Sequence, residues 1–266
     1  MIKKTFKEKG IKIAKGAIWP ILSFLLLFVV WYLAVKFTGM RKSMPNPIDV
    51  LASLFRTFVE PIGRYTLIGH IWFSMQRVLV GYGVALVLGV VTGIAMGWSR
   101  TAEAAIKPLF TIVRSIPSIA WIPLSILWFG VDEMSKYYII GLAAFVTITA
   151  NAYGGANTVD MQLVGAARML GSSESQVFTK VVIPSSLPSI FAGMQVGIST
   201  SWMAMLAAEM IRSNEGLGWM IIAGMESNNL IQIFVGIITI GFMGLLLVNV
   251  IKFIEGGVYR WKKKEG

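Results

Sequence analysis

The sequence predicts an all-α, polytopic membrane protein with six spanning helices, and three observations support that fold class. The chain has 266 residues, of which 56% are hydrophobic and 14% charged. Soluble domains carry about 25% charged residues. The mean hydropathy is +0.71. Six uncharged, mostly apolar runs approach the roughly 17–25 residues that a helix needs to cross a bilayer.

Most of the predicted spans end at charged residues or prolines. The first follows a lysine-rich N-terminus, is about as long as a bilayer requires, and has no A-x-A site after it, so we interpret it as a retained span. The third contains Pro117 and Pro123, which a span tolerates where neighbouring helices or water satisfy the freed carbonyls. The predicted spans are residues 17–35, 78–98, 115–130, 137–157, 185–208 and 229–251.

The charge distribution predicts the topology. The net charge of +11 is concentrated at the two ends of the chain, which favours positive-inside topology over nucleic-acid binding. An even number of spans then places both termini in the cytoplasm. The predicted organisation is a basic cytoplasmic segment at 1–16, a first span with an external amphipathic segment at 17–77, a core at 78–252 and a basic cytoplasmic segment at 253–266.

The second span carries a small residue at every fourth position. Such a ridge allows another helix to approach closely, either within the subunit or across a dimer. The residues of this ridge are Gly81, Ala85, Gly89, Gly93 and Gly97.

Three consecutive hydroxyl residues, at 199–201, cover most of a turn in the fifth span. They can bond to carbonyls of their own helix, or some can face a hydrated path for a solute. Arg77 and Arg114 lie at predicted span edges, where we expect their side chains to snorkel. Glu209 and Arg212 can pair with each other or contact a solute. The candidate path residues are Arg114, Ser115, Ser199, Ser201, Trp202, Met205 and Glu209.

Several chemistries have no sequence signature. The chain has no cysteine and one histidine, which leaves no thiolate or His-rich metal site. It has no G-x-x-x-x-G-K-[ST] phosphate loop, no H-E-x-x-H and no G-x-S-x-G. We therefore expect no enzyme activity, no metal and no cofactor in this chain, and no intramembrane relay for proton coupling.

A polar stretch, residues 160–184, separates spans four and five on the predicted cytoplasmic side. Asp160 can cap a helix that begins near Met161, and Gly171 can end it. Ser172 or Ser173 can cap a second helix, and Pro184 and Pro188 mark the entry to span five. The stretch predicts a helix–turn–helix that we call the elbow.

The elbow resembles the EAA motif of binding-protein-dependent ABC transporter permeases. That pattern is E-A-A, three residues, Gly, nine residues, then I-x-L-P. Ala166, Ala167 and Gly171 fit it, Pro184 closes it, and Gly165 replaces its Glu. The segments MPNPIDVLASL, RSIPSIAWIPLSILWFGVDEMSKYYII, AARMLGSS and AEMIRSNEGLGWMI are similar to the nitrate, sulfonate, taurine and bicarbonate subfamily.

The resemblance implies a type I ABC importer permease fold in a bacterial or archaeal plasma membrane. It also implies a homodimer around a central path, two ATP-binding subunits that hold ATP and Mg in the cytoplasm, and an external substrate-binding protein. The elbow then corresponds to the coupling helix. The residues that we assign to ATPase coupling are Gly165, Ala166, Ala167, Arg168, Leu170, Gly171 and Pro184.

The solute and the transport class have alternatives. The subfamily resemblance favours a small anion such as an aliphatic sulfonate, taurine, nitrate or bicarbonate, whereas related permeases import thiamine precursors or aromatic acids. An ATP-independent channel or carrier would need a filter, a relay or internal symmetry, and a membrane scaffold would need no path at all. The elbow could also pack only on its own subunit.

Overall fold

The regular structure of the described chain is helical. The structure, a computed structural model, describes residues 2–37, 44–211 and 213–258, without the side chains of 2–18, 20 and 258. The helices are α1 (Ile2–Phe37), α2 (Pro47–Arg56), α3 (Leu67–Trp98), α4 (Arg100–Ser115), α5 (Ile122–Phe129), α6 (Glu133–Asn157), α7 (Met161–Met169), α8 (Glu174–Val177), α9 (Ile183–Ile211), α10 (Leu217–Glu226) and α11 (Leu230–Val258).

Four stretches among the described residues are long and apolar enough to span a membrane. They are α3, α6, the continuous helix Glu174–Ile211 that includes α9, and Leu230–Gly257 of α11. A bent pair, α4 with Ser118–Phe129, makes a fifth. The predicted first span falls in α1, whose part Ile21–Phe37 is a shorter apolar helix. The structure therefore has the all-α polytopic fold that the sequence predicts.

Helices α3 and α6 pack side by side and run in the same direction. A Cβ atom added to a glycine of α3 would contact the residue of α6 that lies 59 positions later in the sequence. The pairs are Gly81 with Ile140, Gly89 with Ile148, Gly93 with Ala152 and Gly97 with Ala156. Ala85 is buried in the same ridge. The predicted small-residue ridge thus lies at the contact of α3 with α6, within one subunit.

The parallel course of α3 and α6 shows that the bent pair between them crosses the bundle. α3 ends at Trp98, beside the last residues of α6. The first residue of α6, Glu133, lies at the opposite end of the bundle, beside Arg77. The chain between these residues must return along the full length of the bundle. The pair is bent by 92°, and α4 continues to Ser115 before the break. The prediction of one span over 115–130 was therefore wrong, because Ile116 and Pro117 are extended and break the helix there.

Helix α9 runs antiparallel to α6 and forms the centre of the bundle. The Ser201 hydroxyl donates to the carbonyl of Ile140, while Gly155, near the other end of α6, faces Ser189. The main core joins α3, α6, α9, α10 and α11, and α11 in turn packs antiparallel to α9 through the Trp202 indole, which donates to Ile240. Two opposite ends follow: the elbow lies at one, and the start of α6 lies at the other.

Local capping defines the start of helix α2. The side chain of Asn46 accepts a hydrogen bond from the amide of Ile48, and Pro47 occupies the first helical position. One face buries Pro47 and Val50, while Phe55 on the other is exposed. The helix is therefore amphipathic, as the sequence indicates.

Candidate functional site

The first arm of the elbow is α7, and local capping explains both of its ends. The Asp160 carboxylate accepts the amide of Gln162 at 2.8 Å. At the other end the amide of Gly171 donates to Arg168 and the amide of Ser172 to Ala167, a pair that forms a Schellman motif. Gly171 has φ +81°, a conformation that favours glycine. The predicted start and end of this helix are confirmed.

The second arm begins with a capping box. The Ser173 hydroxyl accepts the amide of Gln176, and the Gln176 side chain accepts the amide of Ser173. The two arms are joined by Arg168, which donates two hydrogen bonds to Glu174 at 2.8 and 2.9 Å. The Glu174 carboxylate raises the pKa of the Arg168 guanidinium through these hydrogen bonds. The arms of the elbow are therefore tied by a two-point ion pair at the surface.

The tip of the elbow exposes apolar side chains. Met169 and Leu170, at the end of α7, are 85% and 87% exposed, and Met161 and Leu163 are also exposed. Ala166 is exposed beside them, and a side chain at Gly165 would meet no other atom within 4 Å. Exposed apolar side chains clustered on a polar segment are typical of a surface that binds another protein.

The elbow continues into α9 without a break. The helix passes from α8 through one π-helical segment, Phe178–Val182, and the amide of Ile183 donates to the carbonyl of Phe178, five residues earlier. Pro184 and Pro188 lie inside the continuous helix Glu174–Ile211. These prolines lie at the entry to span five, as the sequence predicts. The helix continues through them because the π turn and the first turn of α9 accommodate Pro184, which has no amide hydrogen to satisfy.

A buried ion cluster occupies the opposite end of the bundle. Arg77 of α3, only 1% exposed, donates to Glu133 at 2.6 and 2.8 Å, to Glu209 at 2.8 Å and to the side chain of Glu215 at 3.1 Å. It also donates to the carbonyl of Glu215 at 2.9 Å. Lys136 binds Glu133 at 2.6 Å. We call these five residues the Arg77 cluster.

The carboxylate of Glu209 also caps α10. It accepts the hydroxyl of Ser74 and, at 2.8 Å, the amide of Gly218. The amide of Leu217 donates to the Ser74 oxygen, and the amide of Gly216 donates to Nδ1 of His70. Because Nδ1 accepts, Nε2 of this imidazole carries the proton that it donates to the carbonyl of Ile62. Three consecutive amides at the start of α10 are thus satisfied by side chains of α3 and α9.

The cluster corrects one expectation from the sequence and adds a partner for Glu209. Arg77 does not snorkel, because α3 begins at Leu67 and Arg77 therefore lies inside the bundle. Glu209 pairs with Arg77; Arg212, its other candidate partner, lies outside the described residues. The sequence signal for this site is the spacing of His70, Ser74 and Arg77, which places them on one face of an apolar helix.

The candidate path residues fall into two groups. Ser201, Trp202, Met205 and Glu209 are buried where α9 packs on other helices. Ser199 is partly exposed and donates to Gln195 within its own helix, whereas Arg114 and Ser115 of α4 are exposed. Of the hydroxyls at 199–201, the second bonds both within α9 and to Ala143 of α6, and the third bonds to Ile140 of α6. Those two therefore act in helix packing.

Within the described ranges, no group of three or more His, Asp or Glu side chains is arranged to hold a metal ion. The Arg77 cluster has carboxylates from three elements, but Arg77, Lys136 and backbone amides already occupy them.

Comparison with known families identifies the chain. Residues 85–264 match the model of the binding-protein-dependent transport system inner membrane component. The chain belongs to this family. It is therefore a membrane-embedded permease subunit of an ABC importer.

Relatives with different solutes share most of its length. A probable ABC transporter permease protein of Brucella abortus is 34% identical over 92% of this chain and 95% of its own. The nitrate import permease protein of Synechocystis is 32% identical (92% and 90%), and the taurine permease of Escherichia coli is 32% identical (89% and 86%). A formylaminopyrimidine transport permease protein of Halalkalibacterium halodurans is 28% identical (94% and 98%).

A solved structure shows the same fold. A chain of the MetNI methionine ABC transporter, in an inward-facing conformation, aligns with a TM-score of 0.61 over 73% of this chain and 94% of its own. The sequences are 18% identical, so this likeness describes the fold alone.

Proposed function

We propose that this permease subunit forms a homodimer that imports a small anion, powered by two separate ATP-binding subunits and supplied by an external binding protein. The solute is an aliphatic sulfonate, taurine, nitrate or bicarbonate. ATP and Mg belong to the partner ATPase, and the permease performs no chemical reaction. The observation that carries the proposal is the elbow, whose exposed apolar tip is continuous with the central helix α9.

The elbow is suited to transmit force. An ATPase surface that binds Met169 and Leu170 would bury two side chains that are now more than four-fifths exposed. The ion pair between Arg168 and Glu174 keeps the two arms in a fixed relation. A displacement of the tip would then move α9, and with it the contacts of α9 with α6 and α11, as rigid elements.

The elbow end is cytoplasmic in this proposal, and the Arg77 cluster is external. Arg100, Lys107 and Arg168 lie towards the elbow end, in agreement with the positive-inside rule, while Lys136, at the other end, is paired with Glu133. This orientation places the basic termini in the cytoplasm and the binding protein on the side of the cluster.

Helix α4 is the candidate wall of the path for an anion. Arg100, Lys107 and Arg114 recur every seven residues along it, and each is exposed. A cationic face on a broken, membrane-crossing helix is stable only where it meets water, another subunit or a solute. Lys107 is already paired with Glu103, and Arg100 is the first residue of α4, at the elbow end. Arg114, next to Ser115 and the break, is therefore the candidate for charge selection.

Coupling is tested with Leu170→Glu. This side chain is 87% exposed, so the variant should insert and fold normally. Binding of the ATPase would, however, bury the new carboxylate at the interface. We expect loss of ATPase co-purification and of ATP-driven uptake in proteoliposomes. Ala167→Glu should act likewise, and Ser175→Glu, exposed on the second arm, is the matched control. Uptake that survives both tip variants would contradict the coupling assignment; uptake without ATP would favour a channel or carrier.

The solute is tested on the partner binding protein. Thermal shift measurements with taurine, alkanesulfonates, nitrate and bicarbonate should show stabilisation by one of these anions. Stabilisation by a formylaminopyrimidine instead would favour the second candidate, a thiamine-precursor importer, which the similarity to the Halalkalibacterium permease supports.

A further inference from the structure

The Arg77 cluster contains one carboxylate more than its cations require. Glu133, Glu209 and Glu215 face two cations, Arg77 and Lys136. If the Glu215 side chain separates from Arg77, two carboxylates and two cations remain in the cluster, and each still has an oppositely charged partner. If Glu209 leaves, a fully buried guanidinium loses its most enclosed partner, which is strongly unfavourable.

The three carboxylates also differ in how firmly they are held. Glu209 has a side chain that is 0% exposed and accepts hydrogen bonds from three residues. Glu133 receives two hydrogen bonds from Arg77 and one from Lys136. The Glu215 side chain has one hydrogen bond, the fewest of the three, and at 3.1 Å it is the longest in the cluster. This side chain is 24% exposed, against 42% for Glu133, and the carbonyl of Glu215 also accepts Arg77 at 2.9 Å. Glu215 is therefore the member that can separate with least disturbance.

The backbone next to Glu215 provides a point of rotation. Gly216 has φ +111°, and its amide, with those of Leu217 and Gly218, is held by His70, Ser74 and Glu209. The start of α10 is therefore fixed. The preceding segment, residues 213–215, borders a polar cleft of about 580 Å³ and is held to α3 through Glu215.

We propose that Glu215 and Arg77 form a releasable latch at the outer end of the permease, with Gly216 as its pivot. During import Glu215 separates from Arg77, and residues 213–215 move away from α3 into the cleft. Glu209 and Glu133 stay bound. Arg77 and Glu215 are thus positioning residues that hold the outer end closed, and neither contacts the solute. This inference rests on the proposed function, since it assigns the movement to the transport cycle.

The first test uses the permease alone in liposomes. The chain has no cysteine, so a spin label on Asn214→Cys, an exposed position, reports the latch without background. Glu215→Ala should shorten the rotational correlation time of the label by about a factor of two or more, as a loop gains nanosecond motion. Glu226→Ala, in the same cleft, is the matched control. The latch would be overturned if the correlation time of the label were unchanged in Glu215→Ala, or if it shortened equally in Glu226→Ala.

The second test uses the complete transporter with its ATPase and binding protein. The mobile component of the label at position 214 should grow during turnover. Glu215→Ala should raise ATP hydrolysis without binding protein by about fivefold, equivalent to roughly 1 kcal/mol, and Glu215→Asp should restore the lower rate. If Glu215 and Arg77 stay bound throughout the cycle, label mobility will not change during turnover and Glu215→Ala will not raise ATP hydrolysis. That result would overturn the role of the latch in import. Failure of the proposed function is recognised separately, because the wild-type complex would then show no ATP-driven uptake.

Discussion

Single residues in this permease differ sharply in how readily the sequence predicts their role. Asp160 and Gly171 act through local backbone bonds, so the sequence places them correctly. Arg77 acts through partners 56, 132 and 138 residues away, and no local pattern encodes those distances. An arginine at the edge of an apolar run resembles a snorkelling residue until the start of its helix is known.

Removal of the most buried carboxylate should destabilise the fold. Glu209→Ala removes the most enclosed partner of Arg77 and frees the amide of Gly218. Breaking a buried ion pair costs about 3–5 kcal/mol. We expect a markedly lower midpoint of thermal unfolding in detergent, with Glu226→Ala, which removes an exposed carboxylate, close to wild type. Equal midpoints would show that Glu133 and Glu215 are sufficient partners for Arg77.

At the scale of helices, the sequence predicts packing better than continuity. The small residues of α3 mark its contact with α6 because close approach requires them. The two prolines after the elbow mark the entry to span five, but they do not show that the helix passes through both. Whether a proline ends a helix depends on the alignment of the turn before it, here a π turn, and that turn has no sequence signature.

The contact between α3 and α6 can be tested with two glycines of the same helix. A Cβ at Gly93 would lie 2.6 Å from Cβ of Ala152 and 2.6 Å from the carbonyl oxygen of Thr149, whereas one at Gly83 would meet nothing within 4 Å. Gly93→Val should therefore lower the unfolding midpoint, with an overpacking cost of about 1–3 kcal/mol or more. Gly83→Val has the same change in helix propensity without the clash. Similar midpoints for the two variants would contradict the close approach.

At the scale of the whole molecule, the direction of the helices determines the topology. Because α3 and α6 are parallel and α9 is antiparallel to them, the elbow and the segment at 213–215 lie at opposite ends of the 29-residue helix α9. At 1.5 Å per residue these ends are about 43 Å apart, which exceeds the hydrocarbon thickness of a bilayer. The two sites must therefore face different compartments if α9 spans the membrane.

This topology can be checked in the cysteine-free chain with one cysteine at a time. Asn214→Cys should react with a membrane-impermeant maleimide on intact cells, because the proposed orientation places the Arg77 cluster outside. Ser175→Cys, in the second arm of the elbow, should react only after the cells are permeabilised. The unsubstituted chain, which has no cysteine, measures background. Labelling of both positions from one side would contradict the span assigned to α9. Labelling with the sides exchanged would place the elbow outside the cell, away from any cytoplasmic ATPase, and would exclude its coupling role.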